Sequence, residues 1–184
     1  MAGFYTSQSL SVDVGDDPMK EDLLLLLADQ RALLEIAVAG VDEEQARTRT
    51  TVSELTLGGI VKHLAHGELD TADMIADPDP DAQFDLSRLD DEYTLGESET
   101  WAATLDEYAA ATRRFEEVIA AAPLDAMIPQ PIAPWAPERV WWSVHRLLAN
   151  RIRETAHHCG HADIIREALD GQTTMGVLSS GLSF

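Results

Sequence analysis

Apolar residues recur at helical spacing in four stretches of this chain, and prolines, glycines and acidic runs separate them. The first stretch opens at Asp17-Pro18, where a capping side chain precedes a proline whose missing N–H is harmless at the first helical position. It runs to Val38, with Gly40 as its stop. Residues 48–53 lead to a second helix from near Thr56, in which Leu57, Ile60, Val61, Leu64, Ala72 and Ile75 share one face until Asp77-Pro78 breaks the pattern. Residues 77–100 hold two Asp-Pro steps and many acids, which reads as a long solvated connection across one end of a bundle. The Ser98-Glu-Thr-Trp start predicts a third helix through Leu105, Tyr108, Phe115 and Val118 to Ala122. A proline-rich connection, 123–137, precedes a last helix from Glu138 to Leu169 that stops at Asp170-Gly171. The pattern predicts an all-α fold, a four-helix bundle with long loops between helices two and three and between helices three and four. It divides the chain into a loose arm (1–16), the bundle (17–171) and a weakly structured tail (172–184) with a few apolar residues able to dock.

Length and composition agree with one helical domain: 184 residues, 45 % hydrophobic, only 6 % aromatic. Charge narrows the partners. Thirty-three acids against thirteen Lys and Arg leave −20, which repels nucleic-acid phosphates and anionic lipid over most of the surface. The longest apolar run, Leu23 to Ala28, is far short of the roughly 20 residues of a spanning helix. No Lys or Arg precedes Pro18, so a secretory signal is not expected and the expected location is cytoplasmic. Cys159 is the single cysteine, which excludes an intramolecular disulfide and any multi-cysteine metal cluster and confines a metal site to nitrogen and oxygen ligands. Beside the apolar face of its helix, Cys159 reads as a packed thiol.

Five of six histidines fall in two short stretches, His63 and His66 in the second helix, His157, His158 and His161 in the fourth. His145 stands apart and reads as a partly exposed helix residue. At about 100° per residue, Val144, Leu147, Leu148, Thr155, Ala162, Ile165 and Leu169 form the apolar face of the fourth helix, and His158 falls inside it. Glu154 lies one turn earlier on the flank, roughly 40° from His158. On the second helix His63 is nearer the interior than His66. One carboxylate and two imidazoles from two facing helices would leave a fourth coordination position open, as catalytic zinc sites do. The same residues also admit a plain reading, with Glu154 and His158 a hydrogen-bonded i,i+4 pair and the other histidines on the surface.

The stretch LGGIVKHLAH at 57–66, with RETAHHCGHADIIRE at 153–167 and Asp170-Gly171, resembles the DinB-like superfamily, and within it the actinobacterial mycothiol-dependent branch. The match in order and spacing covers helices two and four. The resemblance implies a four-helix bundle holding a divalent metal, most simply zinc, through a histidine of helix two and two residues one turn apart on the last helix. Mapped onto matching positions these are His63, Glu154 and His158, with glutamate as the first of the pair, as in mycothiol-dependent maleylpyruvate isomerases. Relatives often carry a histidine one turn before that glutamate, where this chain has Asn150.

The resemblance implies a thiol S-transferase in which mycothiol is conjugated to an electrophilic small molecule, a detoxification chemistry. His161 and Arg166 are candidates for contacting the thiol co-substrate, and Asp163 for a supporting hydrogen bond. A hydrolase or isomerase on the same metal, and a non-catalytic metal-binding bundle, are the competing readings. The expected partners are a small-molecule thiol and an electrophile, with no nucleic acid and no membrane, and the sequence leaves room for a homodimer.

Overall fold

The computed structural model describes residues 10–89 and 91–180. The ends of the expected arm and tail, 1–9 and 181–184, lie outside the described residues.

Each long helix begins at a side chain that takes up an unpaired backbone donor. Asp17 caps α1 (Pro18–Val38) by accepting from the Lys20 amide. Thr56 caps α3 (Leu57–Ala76) and Thr100 caps α4 (Trp101–Ala121), each accepting from the amide three residues on. Ser143 caps α5 (Val144–Asp170), which ends at Gly171 with φ 81°, the left-handed stop that glycine adopts without strain. Two short helices complete the set, α2 (Glu43–Arg47), with a capping box on Asp42 and Gln45, and α6 (Thr174–Ser179). Helix α3 packs on α4 and α5, and α1 packs on α5, so the all-α bundle expected from the sequence is the architecture observed.

The structure differs from the expected boundaries at three places. The third long helix begins at Trp101 rather than Ser98, because Thr100 and not Ser98 supplies the cap. The last begins at Val144 rather than Glu138, because Trp141–Ser143 (β2) pairs antiparallel with Met127–Pro129 (β1) of the proline-rich connection. In the stretch read as a weakly structured tail, α6 forms: Thr174 is buried and its amide donates to Asp163 Oδ1 at 2.6 Å. At the other terminus Leu10, Val12 and Val14 pack against the core, and Ser11 donates to Glu116.

The core is divided. One apolar cluster joins Leu34, Leu57, Ile60, Leu64, Trp101 and Ile165, and a second joins Leu24, Leu27, Ile75, Phe115, Ile119 and Leu148. Between them, at mid-height, Arg31 reaches from α1 to two carboxylates. Its Nε and Nη2 donate to Glu68 of α3 at 2.9 and 2.8 Å, and its Nη1 donates to Glu116 of α4 at 2.6 Å. A bidentate guanidinium with its charge matched on both sides is the form in which buried charge is tolerated. The histidine cluster lies between α3 and α5.

Candidate metal centre

Helical spacing alone puts Glu154 and His158 side by side on α5, and packing of α5 against α3 brings His63 to them. One ligand atom from each of His63, Glu154 and His158 lies within 4.8 Å of the other two. His158 is 5 % exposed, its Nε2 is 3.8 Å from Glu154 Oε2, and its ring meets that of His63 edge-on at 4.9 Å between centroids. Burial, reinforced by the neighbouring His63 and His161, lowers the His158 pKa to about 4. The ring is therefore neutral at neutral pH, the form in which imidazole offers a lone pair. Two nitrogens and one carboxylate oxygen, converging and partly dehydrated, fit a zinc-type divalent ion.

Two further residues shape the cluster, and the sequence reading passed over both. Glu92 Oε1 is 3.0 Å from His63 Nδ1 and Glu92 Oε2 is 3.4 Å from His66 Nδ1. Burial pushes the Glu92 carboxyl up, but hydrogen bonds from the two histidines outweigh it and hold the group at about 2. An ionised acceptor at Nδ1 favours the His63 tautomer that carries its proton there, which leaves the lone pair on Nε2. Tyr93 stacks on the His63 ring at 4.4 Å, and its hydroxyl is 3.3 Å from His63 Nε2. Burial, with the charges of Glu154 and Glu92, raises the Tyr93 pKa, so the hydroxyl keeps its proton. Both residues belong to the 77–100 connection, whose end is fastened down by Lys62. That ammonium donates to the Thr94 carbonyl at 3.0 Å and to Glu99 at 2.9 Å. The backbone passes so close to α3 that a Cβ on Gly59 would stand 1.9 Å from the Tyr93 carbonyl oxygen. The connection is thus a wall of the site and not merely a solvated crossing.

Beside the cluster opens a cavity of about 700 Å³. His63, Glu92 and Tyr93 lie at its wall with Arg151, while Met74, Phe84, Leu89 and Pro131 give it apolar surface. Volume and lining are in the range of small-molecule sites.

The remaining histidine-cluster and α5 residues divide sharply. His161 is half-buried with Nδ1 3.4 Å from His158 Nδ1, so it adjoins the cluster. His66 shares Glu92, while His157 is exposed and packs edge-on against His161. Arg166 does not fit its expected place beside the thiol. It is 5 % exposed, donates to the Ala37 and Ala39 carbonyls at 2.9 and 2.8 Å, pairs with Asp170, and reaches Gln172. Every nitrogen of that guanidinium has a partner, and the residue ties α5 to the end of α1. Asp163 likewise is occupied in holding α6. Asn150 accepts two hydrogen bonds from Arg153, which also contacts Glu154. Cys159 donates to the Gln30 carbonyl, and burial pushes its thiol up to about 12. His145 is exposed.

A family model for mycothiol-S-transferases matches residues 22–171, a span that contains every long helix from near its start and all three converging residues. The chain belongs to the mycothiol-S-transferase family. No curated protein matches it. Within the family's matched span, α3 and α5 supply the converging side chains and the 77–100 connection supplies the wall, so the site described here lies wholly inside it. No described helix is long and apolar enough to cross a membrane.

Proposed function

We propose that the chain is a metal-dependent transferase that joins the sulfur of mycothiol to an electrophilic small molecule, with a zinc-type ion held by His63, Glu154 and His158. The observation that carries this reading is the convergence of those three ligand atoms within 4.8 Å, with His63 also lining a cavity of about 700 Å³. A three-ligand divalent ion supplies Lewis acidity, lowering a thiol's pKa from about 8.5 so that thiolate is available near neutral pH.

The chain's own residues account for the rest. Glu92 fixes the His63 tautomer, and Tyr93 covers one face of that ring and keeps a hydroxyl proton to donate. Met74, Phe84 and Leu89 offer the apolar surface an electrophile's carbon skeleton needs. In the reaction the thiol proton leaves to solvent, a carbon–sulfur bond forms, and the electrophile releases its leaving group or takes up a proton. His161 is the one co-substrate contact foreseen from sequence that adjoins the cluster.

Elemental analysis of tag-free protein and a mass-spectrometric conjugate assay test the proposal together. About one zinc-like ion per chain is expected, lost in His63→Ala, Glu154→Ala and His158→Ala, and the metal-loaded protein should consume an electrophile faster with mycothiol than without it. Turnover independent of added thiol, with a water-derived oxygen in the product, would establish a hydrolase instead. Bound metal with no conjugate from any thiol would leave only a metal-binding bundle.

A further inference from the structure

Among the described residues three arginines reach into the bundle, and two are fully answered. Arg31 has both carboxylates of the polar layer, and Arg166 has two carbonyls, Asp170 and Gln172. Arg151 is different. It projects from α5 one turn before Glu154, lines the cavity, and lies against α3 so closely that its Nη1 is 2.0 Å from where a Cβ on Gly67 would stand. Its Nε is buried and has no hydrogen-bond partner. Glu154, Glu68 and Asp70 are near enough to favour its charge, yet burial outweighs them and lowers its pKa. A buried guanidinium nitrogen left without an acceptor costs folding free energy, so its retention at a cavity wall calls for an acceptor brought from outside.

We propose that Arg151 is a specificity-determining residue whose guanidinium receives a carboxylate carried by the electrophilic substrate in the cavity beside His63. Geometry favours a planar two-oxygen acceptor, which matches the guanidinium fork. Position favours the electrophile, because Arg151 shares its cavity with Met74, Phe84 and Leu89, the apolar surface assigned above to the electrophile's skeleton, and among the described lining residues it is the one Lys or Arg beside Asp70, Asp73, Asp77, Asp79, Asp85 and Glu92, which confines a carboxylate to its guanidinium. The assignment of the ligand as electrophile rests on the transferase reading, whereas the anion site itself does not.

Calorimetric binding of 4-methylbenzoate and its neutral counterpart 4-methylbenzamide to the metal-loaded protein tests the site without turnover. The acid is expected to bind roughly 10-fold or more tightly than the amide, from the usual strength of charge-assisted hydrogen bonds. Arg151→Leu and Arg151→Gln should each abolish that preference while metal content is unchanged, and Arg151→Lys should restore part of it. Thermal melting separates binding from structure: Arg151→Leu removes a buried nitrogen without a partner and should melt no lower than wild type, and 4-methylbenzoate should raise the melting temperature of wild type but not of Arg151→Leu or Arg151→Gln. Equal binding of acid and amide by wild type, or a preference that survives in Arg151→Leu because the carboxylate sits on the metal, would overturn the proposal. So would a large drop in melting temperature in Arg151→Leu with the preference kept in Arg151→Gln. Conjugation of 4-(chloromethyl)benzoate and its methyl ester then tests the transferase reading separately. Preferential turnover of the acid supports both, and no turnover of either with the binding preference intact overturns the transferase alone.

Discussion

Two polar clusters interrupt the apolar interior of this bundle, and they are finished differently. On the α1–α3–α4 side Arg31 meets Glu68 and Glu116, and the charges close on themselves. On the α3–α5 side His63, Glu154 and His158 converge without closing, and Arg151 keeps a buried nitrogen unpaired. A closed network can only hold helices together. An open one holds coordination and hydrogen-bonding capacity in reserve, and that capacity is what a ligand uses.

The largest expected effect breaks the closed cluster. Glu68→Ala removes two of the three charge-assisted hydrogen bonds of buried Arg31, leaving only that to Glu116, and should cost about 3–5 kcal/mol of stability, measured by urea unfolding. His158→Ala should cost clearly less while removing metal, and equal losses in the two variants would erase the distinction between the clusters. Next in size, Glu92→Gln takes the ionised acceptor from His63 and should weaken metal binding about 10–100-fold in competition with a chromophoric chelator, with little change in unfolding. Unchanged metal affinity would make Glu92 a bystander. The smallest effect is that of chelation on the helices themselves. Two apolar clusters and a closed charge network remain, so circular dichroism should keep its helical signal while the melting temperature falls modestly. Collapse of the helical signal would assign the metal a structural role.

Most of the frame was legible because helices carry their instructions locally. Asp17-Pro18, Thr56 and Asp170-Gly171 mark ends within a turn of where they act, and a helical wheel suffices to rank His63 over His66 and to pair Glu154 with His158. What failed was non-local. Glu92 and Tyr93 lie in an acidic, proline-marked segment whose composition says solvent, and only its return path against α3 makes them neighbours of His63. Arg166 sits beside the histidine motif in sequence, but two further turns of helix carry it to the α1 end, where backbone carbonyls were waiting. The β1–β2 pairing was likewise invisible, since three-residue strands with proline leave no periodic trace.

The fastening of the 77–100 connection has a consequence for engineering. Loops ordinarily tolerate insertions and deletions along their whole length. Here the second half is indexed to α3 by Lys62, by the close passage over Gly59, and by Leu95, whose Cδ1 would stand 2.4 Å from a Cβ on Gly58. A single added residue between Glu92 and Glu99 would displace Glu92 from His63. The first half contributes Ala82, Phe84 and Leu89 to the cavity wall, and its backbone pairs instead with Ile132. One segment is therefore divided into a fixed register that sets up the cluster and a replaceable stretch that contours the chamber. Substrate range can be diversified in a library over positions 82–89 without re-tuning the ligands.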